Sequence, residues 1–290
     1  MTLQLKQSIE ATWLAKKLQL AFHGPALSIS RLAPLHQACS HSLTFCTTSD
    51  STIAQATIIA PLNFHNPTAL HIGSSHPRFD FIRAFNFLEQ EIGFAEDESA
   101  PKIHPSVLIG QNVLIEPGVE IGEGTQLYHN IILRRGVKIG KHCLIKSGSI
   151  IGEEGFGFER DERGDFIRMP HRGSVRIGNQ VEIGALVTVC RGALSDTIIE
   201  EGVKIDDHCH IAHHCHIQAQ SLLTAGVILC GGVTIGTQCW IAPRATILNK
   251  VVVGDKALVG LGAVVTQDVA TDATVFGNPA KVLLKPKTPT

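Results

Sequence analysis

The sequence has few aromatic residues, little net charge and no long apolar run. Its formal net charge of −1 provides no basic field that would hold nucleic acid or an anionic membrane. Apolar stretches such as 257–259 are soon interrupted by Gly or charge, and none approaches the roughly 18 residues of a membrane span. Lys6, Glu10 and Lys16 interrupt the first segment, which is atypical of a secretory signal. We therefore expect a soluble, cytoplasmic protein.

Aromatic residues make up only 5% of the chain, and they are concentrated at one end. After Phe166 only Trp240 and Phe276 follow, so the two parts of the chain are predicted to have different cores. Residues 1–100 predict a small α/β domain with helices at 8–20 and from Pro77 onward. Residues 101–290 form the second predicted domain.

An aliphatic residue recurs every six positions in this second domain. Nine such hexads begin at Ile103, three at Ile177 and twelve at Ile199. Three hexads make one triangular coil, so 24 hexads give eight coils. At about 4.8 Å between stacked strands the prism is roughly 38 Å long. The period is typical of a left-handed parallel β-helix of hexapeptide repeats, and it predicts a mainly β fold with a short C-terminal tail.

The chain contains eight cysteines, which raises the possibility of a disulfide framework. Half of them share the fifth position of a hexad, which is predicted to point into the prism; these are Cys143, Cys209, Cys215 and Cys239. Free cysteine often behaves as a small buried hydrophobic residue. We therefore expect reduced thiols.

Residues 155–176 interrupt the repeat with a charged segment. A coil has no room for them, so they are predicted to leave the prism as a loop of the β-helix domain. Loops on a rigid scaffold often carry binding or catalytic residues, and the alternative is a solvated insertion without a role.

Five histidines lie within residues 208–216, at predicted turn or outward positions. Gly231 follows His213 by eighteen residues, which is one coil, so the two are predicted to be adjacent. An imidazole beside a backbone N–H suits acyl transfer, because one group accepts a proton and the other binds the oxyanion. Asn249 and Gln267 continue the column and could contact an extended thioester. The alternative is a surface histidine below an ordinary turn glycine.

Three segments resemble the UDP-3-O-acyl-glucosamine N-acyltransferases of lipid A biosynthesis: 148–158 (GSIIGEEGFGF), 184–198 (GALVTVCRGALSDTI) and 205–213 (IDDHCHIAH). The resemblance extends over roughly residues 10–245. It implies that His213 is the general base, that the Gly231 amide is the oxyanion donor and that Asp206 supports them. It also implies a homotrimer with a site at each cleft between subunits.

The same resemblance implies that the N-terminal domain and the loop bind a nucleotide-linked amino sugar. The candidate substrate-binding residues are Phe45, Thr48, Phe156, Gly157, Phe158, His171 and His210. Where the family has an Asn and a Tyr beside the uracil, this chain has Thr48 and Ser51.

The end of the sequence departs from that family. A second family histidine corresponds to Lys250, and the long terminal helices that recruit acyl carrier protein are not predicted. Residues 259–269 and 276–282 resemble instead acetyltransferases that use coenzyme A on nucleotide-linked amino sugars. The candidate donor-binding residues are Asn249, Lys250, Gly262, Ala263, Gln267 and Arg244.

We therefore predict an N-acyltransferase that moves a short or hydroxyacyl group from acyl-CoA to a nucleotide-linked amino sugar, for a cell-surface polysaccharide such as O-antigen. This chemistry requires no metal. One alternative is the lipid A enzyme itself, with acyl carrier protein as donor. A zinc-dependent β-helix hydratase is a more remote alternative, because His208 and His213 have a His-x₄-His spacing. A non-catalytic protein that binds a sugar nucleotide is the last alternative.

Overall fold

The computed structural model describes residues 3–25, 27–49, 56–64, 70–161 and 163–283. The chain forms two compact units. The N-terminal unit comprises Met1–Glu96, Phe156–Gly173 and Ala193–Ser195, and the β-helix unit comprises Asp97–Gly155, Ser174–Gly192 and Asp196–Thr290.

The N-terminal unit contains one mixed sheet and two helices. Its elements are β1 (Leu3–Glu10), α1 (Ala11–Leu18), β2 (Ala21–His23), β3 (Ser28–Leu32), a 3-10 turn (Leu35–Gln37), β4 (Ser42–Phe45), β5 (Thr57–Pro61), β6 (Leu70–Ser74) and α2 (Pro77–Glu91). The strand order is β1-β3-β4-β5-β6-β2, with parallel pairing from β3 to β6 and antiparallel pairing at both ends. Apolar residues of both helices, such as Leu14, Phe81 and Phe85, pack into one core with the sheet.

The first helix is shorter than the predicted 8–20, because the residues before Ala11 extend β1 and pair with β3. The second helix begins at Pro77 as predicted. Proline suits the first turn of a helix, where its missing N–H has no intrahelical partner.

The interruption of the repeat is an antiparallel hairpin of Phe158–Arg160 and Phe166–Arg168, and it groups with the N-terminal unit rather than with the β-helix domain to which the sequence assigned it. The Asn86 side-chain amide on α2 donates to the carbonyl of Arg168 at 2.9 Å. This hydrogen bond attaches the hairpin to α2, within the same unit.

The β-helix unit has three flat faces, each built from short parallel strands. Face 1 contains Lys102–Ile103, Glu120–Ile121, Lys138–Ile139, Val175–Ile177, Thr197–Ile199, His216–Ile217, Thr234–Ile235 and Val252–Val253. Face 2 contains Leu108–Ile109, Gln126–Leu127, Leu144–Ile145, Glu182–Ile183, Lys204–Ile205, Leu222–Leu223, Trp240–Ile241, Leu258–Val259, Thr274–Phe276 and the antiparallel Lys281–Val282. Face 3 contains Leu114–Ile115, Ile132–Leu133, Ile150–Glu153, Thr188–Cys190, His210–Ile211, Ile228–Leu229, Thr246–Ile247 and Val264–Val265.

The chain runs from face 1 to face 2 to face 3 and then begins the next coil. We name the turn from face 3 to face 1 corner 3–1, and the turn from face 2 to face 3 corner 2–3. Over the described residues of this unit, the predicted 24 hexads correspond to strands of the three faces. The prediction of a mainly β parallel β-helix is therefore confirmed.

The interior of the prism is aliphatic, as the repeat predicts. The four cysteines at the fifth hexad position are buried in this core, and all eight thiols are free. Burial raises the pKa of Cys209 to about 11 and that of Cys215 to about 12, because the thiolate is poorly solvated there. These thiols serve in packing.

The longest helix of the described segments is α2, with 15 residues. No helix in those segments has both the length and the apolar character needed to cross a membrane.

Candidate active site

The structure brings His213 and Gly231 together at corner 3–1, where Ile211 pairs with Leu229 one coil further on. A Cβ atom built on Gly231 would lie 2.4 Å from Cε1, 2.7 Å from Nε2 and 3.1 Å from Nδ1 of the His213 ring. The imidazole therefore occupies the space that any side chain at position 231 would need. Glycine is required here because only a residue without a side chain allows this close approach. Backbone conformation is not the reason, because the φ angle of Gly231 does not lie in the left-handed region.

The amide of Gly231 lies at the third position of its hexad, outside the hydrogen-bond ladders of the faces. At some equivalent positions a side chain of the neighbouring coil accepts a hydrogen bond from the amide, as seen for Gln111, His129, Arg135, Lys141, Ala185, Ala219 and Thr237. At others, such as Ala225 and Asn249, the amide bonds no acceptor among the described residues. Among the described residues, no acceptor bonds the Gly231 N–H. This donor is therefore available to an external oxygen.

Two backbone hydrogen bonds fix the peptide between Gly231 and Gly232, which adjoins the peptide that carries the Gly231 N–H. The Gly232 N–H donates to the carbonyl of His213 at 2.8 Å, and the Lys250 N–H donates to the carbonyl of Gly231 at 3.0 Å. The coils below and above thus hold the turn in place before any ligand binds, which is the preorganisation that an oxyanion site needs.

The turn that carries His213 is also fixed from the side of face 1. The Thr197 hydroxyl is fully buried, donates to the carbonyl of Cys190 at 2.7 Å and accepts the His214 N–H at 2.9 Å. His214 has a left-handed backbone with φ of 60°. Sequence reasoning assigned no role to His214 or to Thr197, which lies where the repeat slips between residues 189 and 199.

Asp206 lies at a different corner from His213. It follows the face 2 strand Lys204–Ile205, and its Oδ1 accepts the Asp207 N–H at 2.8 Å. The face 3 strand His210–Ile211 separates it from His213 within one chain. Support of His213 by Asp206 of the same chain therefore does not fit the structure.

The candidate donor-binding residues divide between two corners. Asn249, Lys250 and Gln267 are exposed and follow face 3 strands above Gly231, at corner 3–1. Arg244, Gly262 and Ala263 follow face 2 strands, at corner 2–3.

Ala263 is a correction to the predicted set. It has the inward fifth position of its hexad and is fully buried in the aliphatic core. Its methyl group therefore cannot contact a ligand outside the prism.

In the N-terminal unit, the Phe45 ring lies 4.8 Å from the ring of Phe81 and packs against the core. Thr48 is exposed, and Ser51 lies outside the described residues. A groove of about 450 Å³ lies at the start of α2; it is lined by Thr47, Ser75, His76, Pro77, Arg78, Phe79, Glu159, Arg160 and Asp161. Only Thr47 of these neighbours the predicted Phe45 and Thr48 pair in sequence.

The Gly-Phe-Gly-Phe segment places its two rings differently from one another. Phe156 is 87% exposed, whereas Phe158 is half-buried and packs edge-on against it and against Phe166. His171 is buried, and a Cβ on Gly157 would lie 3.0 Å from its Cε1. His171 therefore supports the backbone at Gly157 instead of presenting a surface to substrate.

His210 points outward from face 3. Desolvation by the surrounding protein lowers the pKa of its imidazole, which favours the neutral form. It pairs with Thr188 and Ile228 on the neighbouring strands and is exposed to solvent.

The predicted His-x₄-His pair does not form a metal site within one chain. His208 follows a face 2 strand and His213 follows a face 3 strand, so they occupy different corners. In the part of the chain that the structure describes, no group of three or more His, Cys, Asp or Glu residues is arranged to hold a metal ion.

Sequence comparisons bear on what this corner does. Residues 118–153 match the family model described as bacterial transferase hexapeptide (six repeats). The UDP-3-O-acylglucosamine N-acyltransferase of Polynucleobacter asymbioticus is 33% identical over 251 residues, which cover 70% of each chain. The enzyme of the same name from Coxiella burnetii is 40% identical over 129 residues, or 38% of each chain.

Solved structures with the same β-helix include LpxA from Acinetobacter baumannii, with a TM-score of 0.57 and 23% identity over 63% of this chain and 69% of that one. The UDP-N-acetylglucosamine acyltransferase of Francisella novicida has a TM-score of 0.58 and 24% identity over 63% of this chain and 66% of that one. At this identity the likeness shows the fold, a left-handed parallel β-helix.

Proposed function

The chain belongs to the UDP-3-O-acylglucosamine N-acyltransferase family, and from this premise we propose that it acylates the amine of UDP-3-O-acylglucosamine in lipid A biosynthesis. The protein is an acyltransferase enzyme. The observation that carries the proposed reaction is the His213 ring lying against Gly231, whose amide bonds no acceptor in the described residues.

The prediction of an acyl-CoA-dependent enzyme of O-antigen synthesis is wrong. Relatives at 32–40% identity carry the name UDP-3-O-acylglucosamine N-acyltransferase. That name matches the alternative prediction of the lipid A enzyme, which was based on the motifs around His213. The name gives no support to an acyl-CoA donor. The short terminal segments were less specific than the motifs around His213.

In the proposed reaction His213 is the general base. As the sugar amine attacks the thioester carbonyl, Nε2 of His213 accepts the amine proton, and a C–N bond forms. The tetrahedral intermediate then collapses with cleavage of the C–S bond, and the imidazolium returns the proton to the departing thiolate. A positioned general base contributes typically about 10²–10⁴-fold to the rate.

Gly231 stabilises the negative charge that develops on the carbonyl oxygen. The peptide that follows this N–H is held by two backbone hydrogen bonds to the neighbouring coils, which limits the reorganisation needed when the charge forms. Since position 231 has no side chain, the acyl carbonyl can approach the backbone closely.

We assign the nucleotide of the acceptor to the N-terminal unit on the basis of the family resemblance. The groove at the start of α2 contains Arg78 and Arg160, which suit a diphosphate, together with Glu159 and Asp161. Arg78 forms an ion pair with Glu159 at 3.3 Å, so a diphosphate bound there must replace that carboxylate as its partner. Thr48 replaces the family's Asn at the base-binding position, so contacts to the base differ from the family pattern.

We propose that the donor is a hydroxyacyl thioester of acyl carrier protein and that the enzyme is a homotrimer. Asn249 and Gln267 are exposed above Gly231 and can hydrogen-bond an extended thioester arm. Because Asp206 lies one corner away from His213, it can reach that site only from a second copy of the chain.

The test is a substrate comparison with purified protein. UDP-3-O-acylglucosamine is offered with hydroxyacyl-acyl carrier protein or with the matching acyl-CoA, and the N-acylated product is measured by mass spectrometry. We expect turnover with the carrier protein at least about 10-fold faster than with the CoA thioester. Turnover of other nucleotide-linked amino sugars, with none of UDP-3-O-acylglucosamine, would contradict the proposal.

A further inference from the structure

His214, the residue after the proposed base, contacts it directly. The two rings are nearly perpendicular, at 89°, with their centroids 5.2 Å apart. Nδ1 of His213 and Nδ1 of His214 lie 3.1 Å apart, which is hydrogen-bond distance. One of these nitrogens must therefore carry a hydrogen while the other accepts it.

The proposed role of His213 at the Gly231 corner decides which nitrogen carries it. Nε2 of His213 is closer than Nδ1 to the position of a Cβ on Gly231, at 2.7 Å against 3.1 Å. A neutral imidazole has one N–H, and its other nitrogen is the acceptor. If Nε2 is to take a proton beside the Gly231 amide, Nδ1 must carry the hydrogen and needs an acceptor.

We propose that His214 is a positioning residue that accepts the Nδ1–H of His213 and so keeps Nε2 of His213 unprotonated. This inference rests on the proposed role of His213 as general base. The hydrogen bond made by one ring nitrogen selects the tautomer of the ring, and the same bond stabilises the imidazolium after proton uptake.

The backbone of His214 is held well enough for this task. Its N–H donates to the Thr197 hydroxyl at 2.9 Å, and that hydroxyl donates to the Cys190 carbonyl at 2.7 Å. Thr197 is fully buried, so the pair of bonds has no competing water. The ring of His214 is therefore attached to a backbone that is held in one position, at a left-handed turn with φ of 60°.

The left-handed φ angle at position 214 also determines which substitutions suit a test. His214→Gly removes the ring without backbone strain, and His214→Asn tolerates the same φ while keeping a carbonyl oxygen that can accept a hydrogen bond. His142 occupies the equivalent hexad position at another corner, with φ of 54°, so His142→Gly is the matched control.

The main measurement is the ¹⁵N imidazole spectrum of His213 at about pH 8, above the ordinary imidazole pKa. We expect Nδ1–H in the wild type, in His214→Asn and in the His142→Gly control. In His214→Gly we expect a shift toward Nε2–H. The kcat of His214→Gly should fall about 10- to 100-fold with KM little changed, and His214→Asn should recover most of it.

The inference is overturned if His213 of the wild type carries its hydrogen on Nε2, or if His214→Gly leaves both the tautomer and kcat unchanged. The spectrum does not require turnover. A protein that fails to acylate UDP-3-O-acylglucosamine but shows the tautomer shift would contradict the proposed function and leave the role of His214 intact.

Discussion

Two histidines occupy the same hexad position in this prism, and they do different things. His129 at corner 2–3 is exposed, and its Nδ1 accepts the Gln111 N–H of the preceding coil at 2.8 Å. His213 at corner 3–1 is half-buried and lies against Gly231 of the following coil. The ring of His129 accepts a hydrogen bond from a backbone N–H, whereas the ring of His213 lies against Gly231, whose N–H bonds no acceptor among the described residues.

The difference follows from the neighbours along each column. Ser147 lies above His129, and its Oγ accepts the His129 N–H at 3.2 Å. Gly231 above His213 has no side chain, so the ring can occupy the vacant space. A repeat can therefore use one residue type as a structural contact at one corner and as a reactive group at another, and the partner one coil away decides which.

The largest effect is expected for His213→Ala. Removal of the general base should lower kcat by about 10²–10⁴-fold, with the melting temperature little changed. The measurement is turnover of UDP-3-O-acylglucosamine alongside a thermal melt. Activity close to that of the wild type would place the base elsewhere and remove the distinction between the two corners.

Gly231→Ala should have the next largest effect. Its Cβ would lie 2.4 Å from Cε1 of His213, so the ring must move. Displacement of a reacting group by about 1 Å can cost about 100-fold in kcat, and we expect a loss of that order. Thermal unfolding should show destabilisation as well.

A double-mutant cycle isolates the contact. In the His213→Ala background the steric partner is gone, so Gly231→Ala should cost much less stability than it does in the wild type. Equal costs in both backgrounds would mean that the ring and the glycine are not coupled.

Thr197→Val should destabilise the protein moderately. It removes the buried hydroxyl that bonds the His214 N–H and the Cys190 carbonyl, at a cost of about 1–3 kcal/mol. We expect a lower urea midpoint with an unchanged m-value. Thr234→Val, on the outer side of a face 1 strand, is the control and should change the midpoint little.

The smallest effect is expected for His129→Ala. The Gln111 amide is exposed and can bond water in place of the ring, so the loss should be about 1 kcal/mol or less. Activity should be unchanged. A loss of kcat as large as that of His213→Ala would show that the two corners are not functionally distinct.

The repeat made much of this site predictable. Because the hexad fixes which residues point inward, it predicted the buried cysteines, and because a coil has eighteen residues, it predicted the contact of His213 with Gly231. The same register already assigns Asp206 to another corner and turns Ala263 inward. Both were included as site residues on resemblance, against the register.

Other features depended on contacts that no spacing encodes. The hairpin around Phe158 groups with the N-terminal unit because its backbone bonds the Asn86 side chain. The left-handed turn of His214 and its hydrogen bond to Thr197 likewise join residues from two coils. Their partners are separated from them by many residues without any repeating interval.

The sequence by itself determined the prism, its inward and outward positions and the columns in which residues stack, because a period of six repeats the same backbone geometry at every step. Tertiary structure alone decided toward which coil each histidine leans and which amides of the turns find a side-chain acceptor. Those outcomes depend on the size and hydrogen-bonding capacity of the side chain one coil away, and a strictly periodic backbone leaves them open.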